Sequence, residues 1–260
     1  MRENLNKSIQ KIIKENKYFS SEEIKIELEK NKINISRNTV INILHEMQYD
    51  YRKPIDKPLL TDKQINKRIE WANEFLNYNW DNVKFTDEAS LWIGFTGKRW
   101  VDLNTDDYNL CVKHPQKVHI WGSISVNFKR EIFIFTENLT GNKYIDILKD
   151  NLKIEEGVIF QDDNDPKHRS LVVKKWKEEK NIASLKWWPS NSPDLNPIEN
   201  IWALLKNKVK KRQNKTIDEF KESIKECWNE IDQEHINNAI KSMSKRIKSV
   251  IDNKGGSINY

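Results

Sequence analysis

The sequence predicts a mixed α/β domain, with a sheet flanked by helices, preceded by a small all-α domain. Three observations indicate this arrangement. The first 48 residues carry apolar side chains at helical spacing. From residue 82 onwards, segments of alternating apolar residues are followed by helices and strands in alternation. The 260 residues, of which 37% are hydrophobic, suffice for one large core and a smaller satellite.

The composition bounds the class of protein. There is neither a run of 18 apolar residues nor a signal pattern, so we expect no membrane insertion and no secretion. Cys111 and Cys227 lack metal-ligand spacing, which predicts two reduced, buried thiols. The net charge of +6 favours a polyanionic partner, but only mildly. The ten tryptophans are predicted to lie mostly in the core.

Residues 1–48 are predicted to form three short helices. Ser20 followed by Glu23 is a capping box, which marks the start of the second helix. The third helix begins near Ser36 and turns three polar side chains outward: Arg37, Asn38 and Asn42. In a helix-turn-helix module such a third helix enters the major groove of DNA, where Arg and Asn suit guanine and adenine. A plain trihelical bundle with a solvated polar face is the alternative at this point.

A basic linker and a connecting helix are predicted over residues 49–81. Residues 49–60 lack periodicity and include two prolines, which favours an extended segment whose Arg52 and Lys53 contact DNA phosphates. A helix over 61–78 follows, capped by Thr61 or Asp62.

The remaining chain alternates between strand and helix patterns. The predicted strands are Val83–Thr86, Arg99–Val101, Val118–Val126, Glu131–Thr136, Val158–Asp162 and Ala183–Trp187. The predicted helices cover about 142–153, 167–180, a segment from Pro197, 216–231 and 233–251. This order is typical of a ribonuclease-H-like domain, with a mixed sheet covered on both faces. We place it at 82–212, with 213–260 as C-terminal helices that pack on it and end in a frayed tail.

Acidic residues follow two of these strands. Asp87 and Asp163 each end a predicted strand, where α/β sheets place their sites. Carboxylates that converge from separate elements are what phosphodiester cleavage by magnesium ions requires. Glu88, Asp162 and Asp165 compete for the same role.

A third acid is ambiguous. Glu199 follows Asn196 and Pro197 in the pattern of a helix cap, so a purely structural role fits it locally. Asp194 is a competing acid in the same segment.

Four ordered motifs resemble the catalytic domain of Tc/mariner transposases, in particular the Tc-like branch. They are Phe85-Thr86-Asp87-Glu88, Val118-His119-Ile120-Trp121-Gly122, Gln161-Asp162-Asp163-Asn164-Asp165-Pro166-Lys167-His168, and Trp188-Pro189 with Ser192-Pro193-Asp194-Leu195-Asn196-Pro197-Ile198-Glu199-Asn200-Ile201-Trp202. The resemblance also includes the stretch 57–61, which follows a helix-turn-helix in this family.

The resemblance implies the chemistry and its residues. By position, the catalytic and metal-binding acids are Asp87, Asp163 and Glu199, which would hold two divalent ions, Mg²⁺ or in its place Mn²⁺. The family implies a cut-and-paste transposase that binds double-stranded DNA at element ends and at the target, working as a homodimer. His168 could approach a phosphate or cap a helix. We expect nuclear localisation in a eukaryote and a cytoplasmic protein otherwise.

Two departures from the family pattern stand out. The family usually carries two helix-turn-helix modules, and this sequence starts at what resembles the second, so we expect a truncated copy with weaker recognition of element ends. Asp162 replaces the usual Gln and adds a charge beside the predicted metal site.

The alternative functions are a non-mobile DNA-binding regulator derived from a transposase and a nuclease for RNA–DNA hybrids. The basic stretch Lys206–Lys215 could contact DNA, direct nuclear import or form a solvated helix face.

Overall fold

The computed structural model describes residues 2–51, 57–94, 116–126, 131–152, 156–212 and 214–259. Arg52, Lys53, Cys111 and the predicted strand Arg99–Val101 lie outside these ranges. The chain divides into two compact units, one up to Lys57 and one from Pro58 onwards. Among the described helices, none has the length and apolar character that crossing a membrane demands.

The N-terminal unit consists of three helices, as predicted. They are α1 (Arg2–Glu15), α2 (Ser21–Lys30) and α3 (Arg37–Glu46). The Ser20 hydroxyl accepts a hydrogen bond from the Glu23 amide and the Glu23 carboxylate accepts one from the Ser20 amide, which confirms the predicted capping box. The helices bury a small apolar core of their own, made of Ile9, Ile12, Ile24, Leu28, Val40 and Ile43.

The second unit is built around a mixed sheet. Its strands are β1 (Val83–Trp92), β2 (Lys117–Ile124), β3 (Glu131–Phe135) and β4 (Ile159–Gln161), and the order across the described sheet is β3-β2-β1-β4. The pairs β3–β2 and β2–β1 are antiparallel, whereas β1 and β4 run parallel. The parallel pair has the topology that a strand–helix–strand connection produces.

Helices flank this sheet. They are α4 (Asp62–Glu74), α5 (Gly141–Asn151), α6 (Leu171–Glu179), α7 (Ile198–Val209), α8 (Ile217–Asn229), α9 (Gln233–Lys241) and α10 (Met243–Asp252). A short 3₁₀ turn, Pro193–Leu195, precedes α7. The larger core joins the sheet to α4 and α7–α10, and a second core joins it to α5 and α6.

Tryptophans fill both cores. Trp71, Trp80, Trp188, Trp202 and Trp228 belong to the larger core, and Trp71 contacts both Trp80 and Trp188 ring to ring. Two more tryptophans lie in the second core, Trp121 and Trp176. The prediction that tryptophans serve mostly as core residues is confirmed. Cys227 is a buried, free thiol in the larger core, as predicted.

Two predicted elements differ in the structure. The predicted strand Ala183–Trp187 is wrong, because only Ser184 forms a bridge, to Phe160. After that bridge the chain leaves the sheet to cover the core, where the Trp187 carbonyl accepts a hydrogen bond from the Trp71 indole at 3.1 Å. The predicted helix 233–251 is interrupted at Ser242, which ends α9 and precedes α10.

The C-terminal tail is packed, and the prediction that it frays is wrong. The fully buried Arg68 guanidinium donates hydrogen bonds to the carbonyls of Gly255 and Gly256, at 2.9 and 3.2 Å. The same guanidinium binds both carboxylate oxygens of Asp194, at 2.8 and 2.7 Å. The Ile258 amide also donates to Asp194, at 2.8 Å. Periodicity could not predict this, because the partners lie far apart in the chain.

We predict that Arg68→Lys destabilises the protein by about 2 kcal/mol, because a lysine cannot reproduce the planar fork and leaves buried acceptors unpaired. Urea unfolding of the parent and the variant measures the loss. The control is Lys67→Arg, an exposed neighbour paired with Glu70, which should change stability by less than about 0.5 kcal/mol. Equal effects in the two variants would contradict the role given to the fork.

Candidate active site

Strand β1 extends beyond its predicted end, so Asp87 lies inside the strand. The prediction that the strand stops at Asp87 is wrong, because the antiparallel ladder with β2 continues to the pair Trp92–Lys117. The parallel ladder with β4, in contrast, ends at the pair Phe85–Gln161. Asp87 is therefore still paired with β2, opposite Gly122, but has passed the end of β4.

Asp163 comes next to Asp87 through this parallel pairing. The last pair of the parallel ladder is Phe85–Gln161. Asp87 lies two residues after Phe85, and Asp163 lies two residues after Gln161. Neighbouring parallel strands in register carry equivalent positions side by side. Asp163 therefore follows β4 at the place where β1 presents Asp87.

Glu199 reaches the same place from the first turn of α7. Asn196 fixes this turn: its side-chain amide donates to the Thr86 carbonyl at 3.1 Å, and its Oδ1 accepts from the Ile198 amide at 3.3 Å. Asn196 thus ties the start of α7 to β1 beside Asp87, while the N-cap of the helix is Pro197, without a side-chain cap hydrogen bond. The Glu199 carboxyl is directed into the cavity instead of serving as a cap.

The three acids line one cavity of about 390 Å³. The other lining residues are Asn164, Asp165, Pro166, Trp188, Pro189, Ser190, Asn191, Ser192, Pro193 and Asn196. The structure therefore brings together the three acids that the resemblance singled out, and the motifs around them form the walls.

Asp87 and Glu199 form a pair of partly buried carboxyl groups. The pKa of Asp87 is raised well above its ordinary value, mainly by burial and then by the charges of Glu199 and Glu88. Burial also raises the pKa of Glu199, although Lys206 and a hydrogen bond with Asp87 oppose this. A hydrogen bond between two carboxyl groups requires a proton on one of them. The two carboxyl groups therefore disfavour full ionisation of the pair, at a place where a cation would fit.

Asp163 is held by His168. Burial opposes the charged form of Asp163, but hydrogen bonds from the His168 ring and the Asp165 amide outweigh it and lower the pKa of Asp163. His168 Nδ1 lies 2.7 Å from Asp163 Oδ1, and Nε2 lies 3.2 Å from Glu88 Oε1. Burial lowers the pKa of His168, yet these two carboxylates raise it to about 10. The ring is therefore charged at neutral pH and stacks on Tyr144. Only 4% of the residue is exposed to solvent.

Each competing acid has a basic side chain as its partner. Asp194 binds Arg68, and Glu88 lies against His168. Asp162 accepts hydrogen bonds from Lys177 and Tyr144, so the charge that departs from the family pattern is neutralised within the α5–α6 layer. Asp165 lines the cavity but lies 3.1 Å from the Lys167 ammonium.

The donor set fits a hard divalent cation. All three proposed ligands are carboxylates, whose oxygens Mg²⁺ and Mn²⁺ prefer, and two of them repel each other unless a cation or a proton intervenes. Within the described ranges, no three Asp, Glu, His or Cys side chains are gathered closely enough to enclose one ion by themselves.

The predicted DNA-reading residues lie on one accessible helix. Arg37, Asn38 and Asn42 are all exposed on α3, whose amino end is capped by Ser36. The Arg37 Nε donates to the Ser21 hydroxyl at 3.0 Å, which holds the base of this side chain against α2. Arg52 and Lys53 cannot be placed, as they lie outside the described residues.

A mixed sheet with acids from two strands and a following helix at one edge defines a ribonuclease-H-like fold, as predicted. Residues 6–77 match a family model described as "Transposase", and residues 78–221 match one described as "DDE superfamily endonuclease". The chain belongs to the Tc/mariner family of DDE transposases. Membership in this family makes it a metal-dependent DDE enzyme.

Curated relatives come from nematodes. The Tcb1 transposase of Caenorhabditis briggsae is 30% identical over 86% of this chain and 88% of its own length. The Tcb2 transposase of the same organism is 28% identical over 98% of this chain and 100% of its own. Among solved structures, a Mos1 transposase paired-end complex with left transposon end has a TM-score of 0.72 at 18% identity, over 98% of this chain and 80% of that one. At this identity the similarity concerns the fold alone.

Several contacts that support the acids escaped the sequence reasoning. They are the Asn196–Thr86 hydrogen bond, the His168–Asp163 pair and the hydrogen bond from Trp202 to Asp87. All of these residues lie inside the four motifs. The spacing of the motifs does not show which of the residues contact each other.

We predict that Asp87→Asn stabilises the metal-free protein by about 1 kcal/mol at neutral pH, because it removes one of two repelling charges. The parent's protonated Asp87 contributes stability below the unfolded pKa, about 4, and loses it as pH rises through the raised folded pKa. The advantage of the variant should therefore grow from pH 4 to pH 8.

Thermal unfolding across this pH range, with and without Mg²⁺, measures the effect. Mg²⁺ should raise the melting temperature of the parent more than that of the variant. A variant less stable than the parent at pH 8 without metal would contradict the charge repulsion.

Proposed function

We propose that this protein is a cut-and-paste transposase, which hydrolyses DNA at the ends of its element and joins the freed 3′ hydroxyl to target DNA. The observation that carries this proposal is the convergence of Asp87, Asp163 and Glu199 in one cavity. The family of the chain and its nematode relatives support it. The non-catalytic regulator is less favoured, because such a protein would not require three acids at one sheet edge.

Asp87, Asp163 and Glu199 would hold two divalent ions, Mg²⁺ or in its place Mn²⁺. When bound, such ions activate the attacking oxygen and stabilise the leaving one. The structures of Mos1 paired-end complexes with Mn and with Mg are consistent with either metal.

The residues around the acids prepare the site for a phosphodiester. His168 fixes Asp163 by a charged hydrogen bond, so that this carboxylate keeps one orientation. Asn196 fixes the start of α7 and with it Glu199. Residues 188–193 form one wall of the cavity. No side chain needs to form a covalent bond with DNA, since water and then the 3′ hydroxyl are the nucleophiles.

Recognition of the element ends falls to the N-terminal unit. We propose that α3 enters the major groove with Arg37, Asn38 and Asn42 at the base edges, while Arg52 and Lys53 contact phosphates. Cutting and joining two ends together requires two active sites, which favours a homodimer; the paired-end complexes of Mos1 are consistent with this. Because its substrate is genomic DNA, the protein would act in the nucleus of a eukaryotic cell or in the cytoplasm of a prokaryotic one.

We predict that Asp163→Asn lowers the rate of Mg²⁺-dependent nicking of an element-end duplex at least about a hundredfold, because the amide is a poor ligand for the cation. The control is Asp146→Asn, which changes an exposed aspartate on α5 that pairs with Lys149. Equal nicking rates for the parent and Asp163→Asn would contradict the role of Asp163 as a catalytic metal ligand. A parent that binds the duplex but never nicks it would favour the regulator.

We predict that Asn38→Ala and Asn42→Ala each weaken binding to element-end DNA about tenfold, because a bidentate base contact contributes about 1–3 kcal/mol. Binding to an unrelated duplex should change little. Fluorescence anisotropy at fixed salt measures both affinities, with Asn4→Ala, an exposed substitution on α1, as the control. Equal losses on both duplexes would argue against base reading by α3.

A further inference from the structure

Trp202 connects two of the proposed catalytic acids. It lies three residues after Glu199 in α7, so both side chains leave neighbouring positions on one face of the helix. Its buried indole Nε1 donates a hydrogen bond to Asp87 Oδ2 at 3.2 Å. Asp87 Oδ2 thus accepts a hydrogen bond within the protein, which leaves Oδ1 to face a ligand in the cavity.

The indole can reach Asp87 only because glycine lies beneath it. Gly122 is opposite Asp87 on β2. A Cβ added to Gly122 would lie 2.5 Å from Trp202 Cη2 and 3.2 Å from Cζ2. Carbon atoms do not approach so closely, so any larger residue at 122 would displace the indole from its place over the sheet.

Trp228 packs against Trp202 but does not share its hydrogen bond to Asp87. The ring centroids of Trp202 and Trp228 lie 5.3 Å apart, and both side chains are buried in the larger core. The Trp228 indole N–H has no hydrogen-bond partner among the described residues. The two tryptophans therefore share burial and packing but differ in the hydrogen bond to Asp87.

We propose that Trp202 is a positioning residue for metal binding, which orients the Asp87 carboxylate toward the cation, and that Gly122 provides the space this requires. The inference rests on the proposed function, because it takes Asp87 as a metal ligand. A donor on the distal oxygen of a ligand carboxylate restricts its rotation and sets the direction of the other oxygen. A purely packing role for Trp202 would leave the affinity for the cation unchanged.

The test compares Trp202→Phe with Trp228→Phe in the full-length chain. Phenylalanine keeps an aromatic ring at each position, so both variants lose packing, while only Trp202→Phe loses the hydrogen bond to Asp87. Calorimetric titration of the metal-free protein with Mn²⁺ gives the affinity, and thermal unfolding gives the stability. We expect Trp202→Phe to weaken Mn²⁺ binding about tenfold and Trp228→Phe to leave it within about twofold.

Equal Mn²⁺ affinities in the two phenylalanine variants would overturn the proposal. If Trp202→Phe does not fold, Gly122→Ala replaces it, since the added methyl displaces the indole that it would otherwise touch; unchanged Mn²⁺ affinity in Gly122→Ala would also overturn the role of Trp202. Asp163→Asn separates this proposal from the proposed function. Unchanged Mn²⁺ binding in Asp163→Asn would contradict the metal site itself. Loss of Mn²⁺ binding in Asp163→Asn, together with unchanged Mn²⁺ affinity in Trp202→Phe, would contradict only the positioning role.

Discussion

The parallel pairing of β1 with β4 is the constraint on which the site depends. It ends at Phe85–Gln161, and the two residues that follow on each strand carry Asp87 and Asp163 to adjacent places at the sheet edge. A register shift of one residue would turn one of the two side chains to the opposite face. Everything else at the site adjusts to this register, including the start of α7, which Asn196 fastens to the backbone of β1.

Concentrating acids at this edge is unfavourable for the protein alone. Burial raises the pKa of both Asp87 and Glu199, and the charge of Glu199 raises the pKa of Asp87 further. His168 supplies a positive charge to Asp163, whereas Asp87 accepts hydrogen bonds from neutral groups, the indole of Trp202 and the backbone of Glu88. The Asp87–Glu199 pair is therefore less compensated by positive charge than Asp163, although Lys206 lowers the pKa of Glu199. Such an arrangement favours a cation and sacrifices stability for function.

The segment that precedes α7 is held by buried contacts with α4 and the C-terminal tail. Arg68 of α4 binds Asp194 and the tail carbonyls of Gly255 and Gly256, so three distant segments meet behind the cavity wall. Buried ion pairs contribute little net stability, but they are strongly specific in geometry. The tail, which closes the chain, thus stabilises the loop from which α7 begins.

The sequence by itself determined the two-part organisation, the three N-terminal helices, the mixed sheet and, through the ordered motifs, the three acids to consider. Local patterns succeed there because caps and periodicity depend on residues a few positions apart. Only the tertiary structure decided that Glu199 faces the cavity, that β1 continues past Asp87, and that the tail is packed. Each of these depends on a partner distant in the chain, such as Asn196 for Thr86 or Arg68 for Gly255, and no local pattern of residues records such a partner.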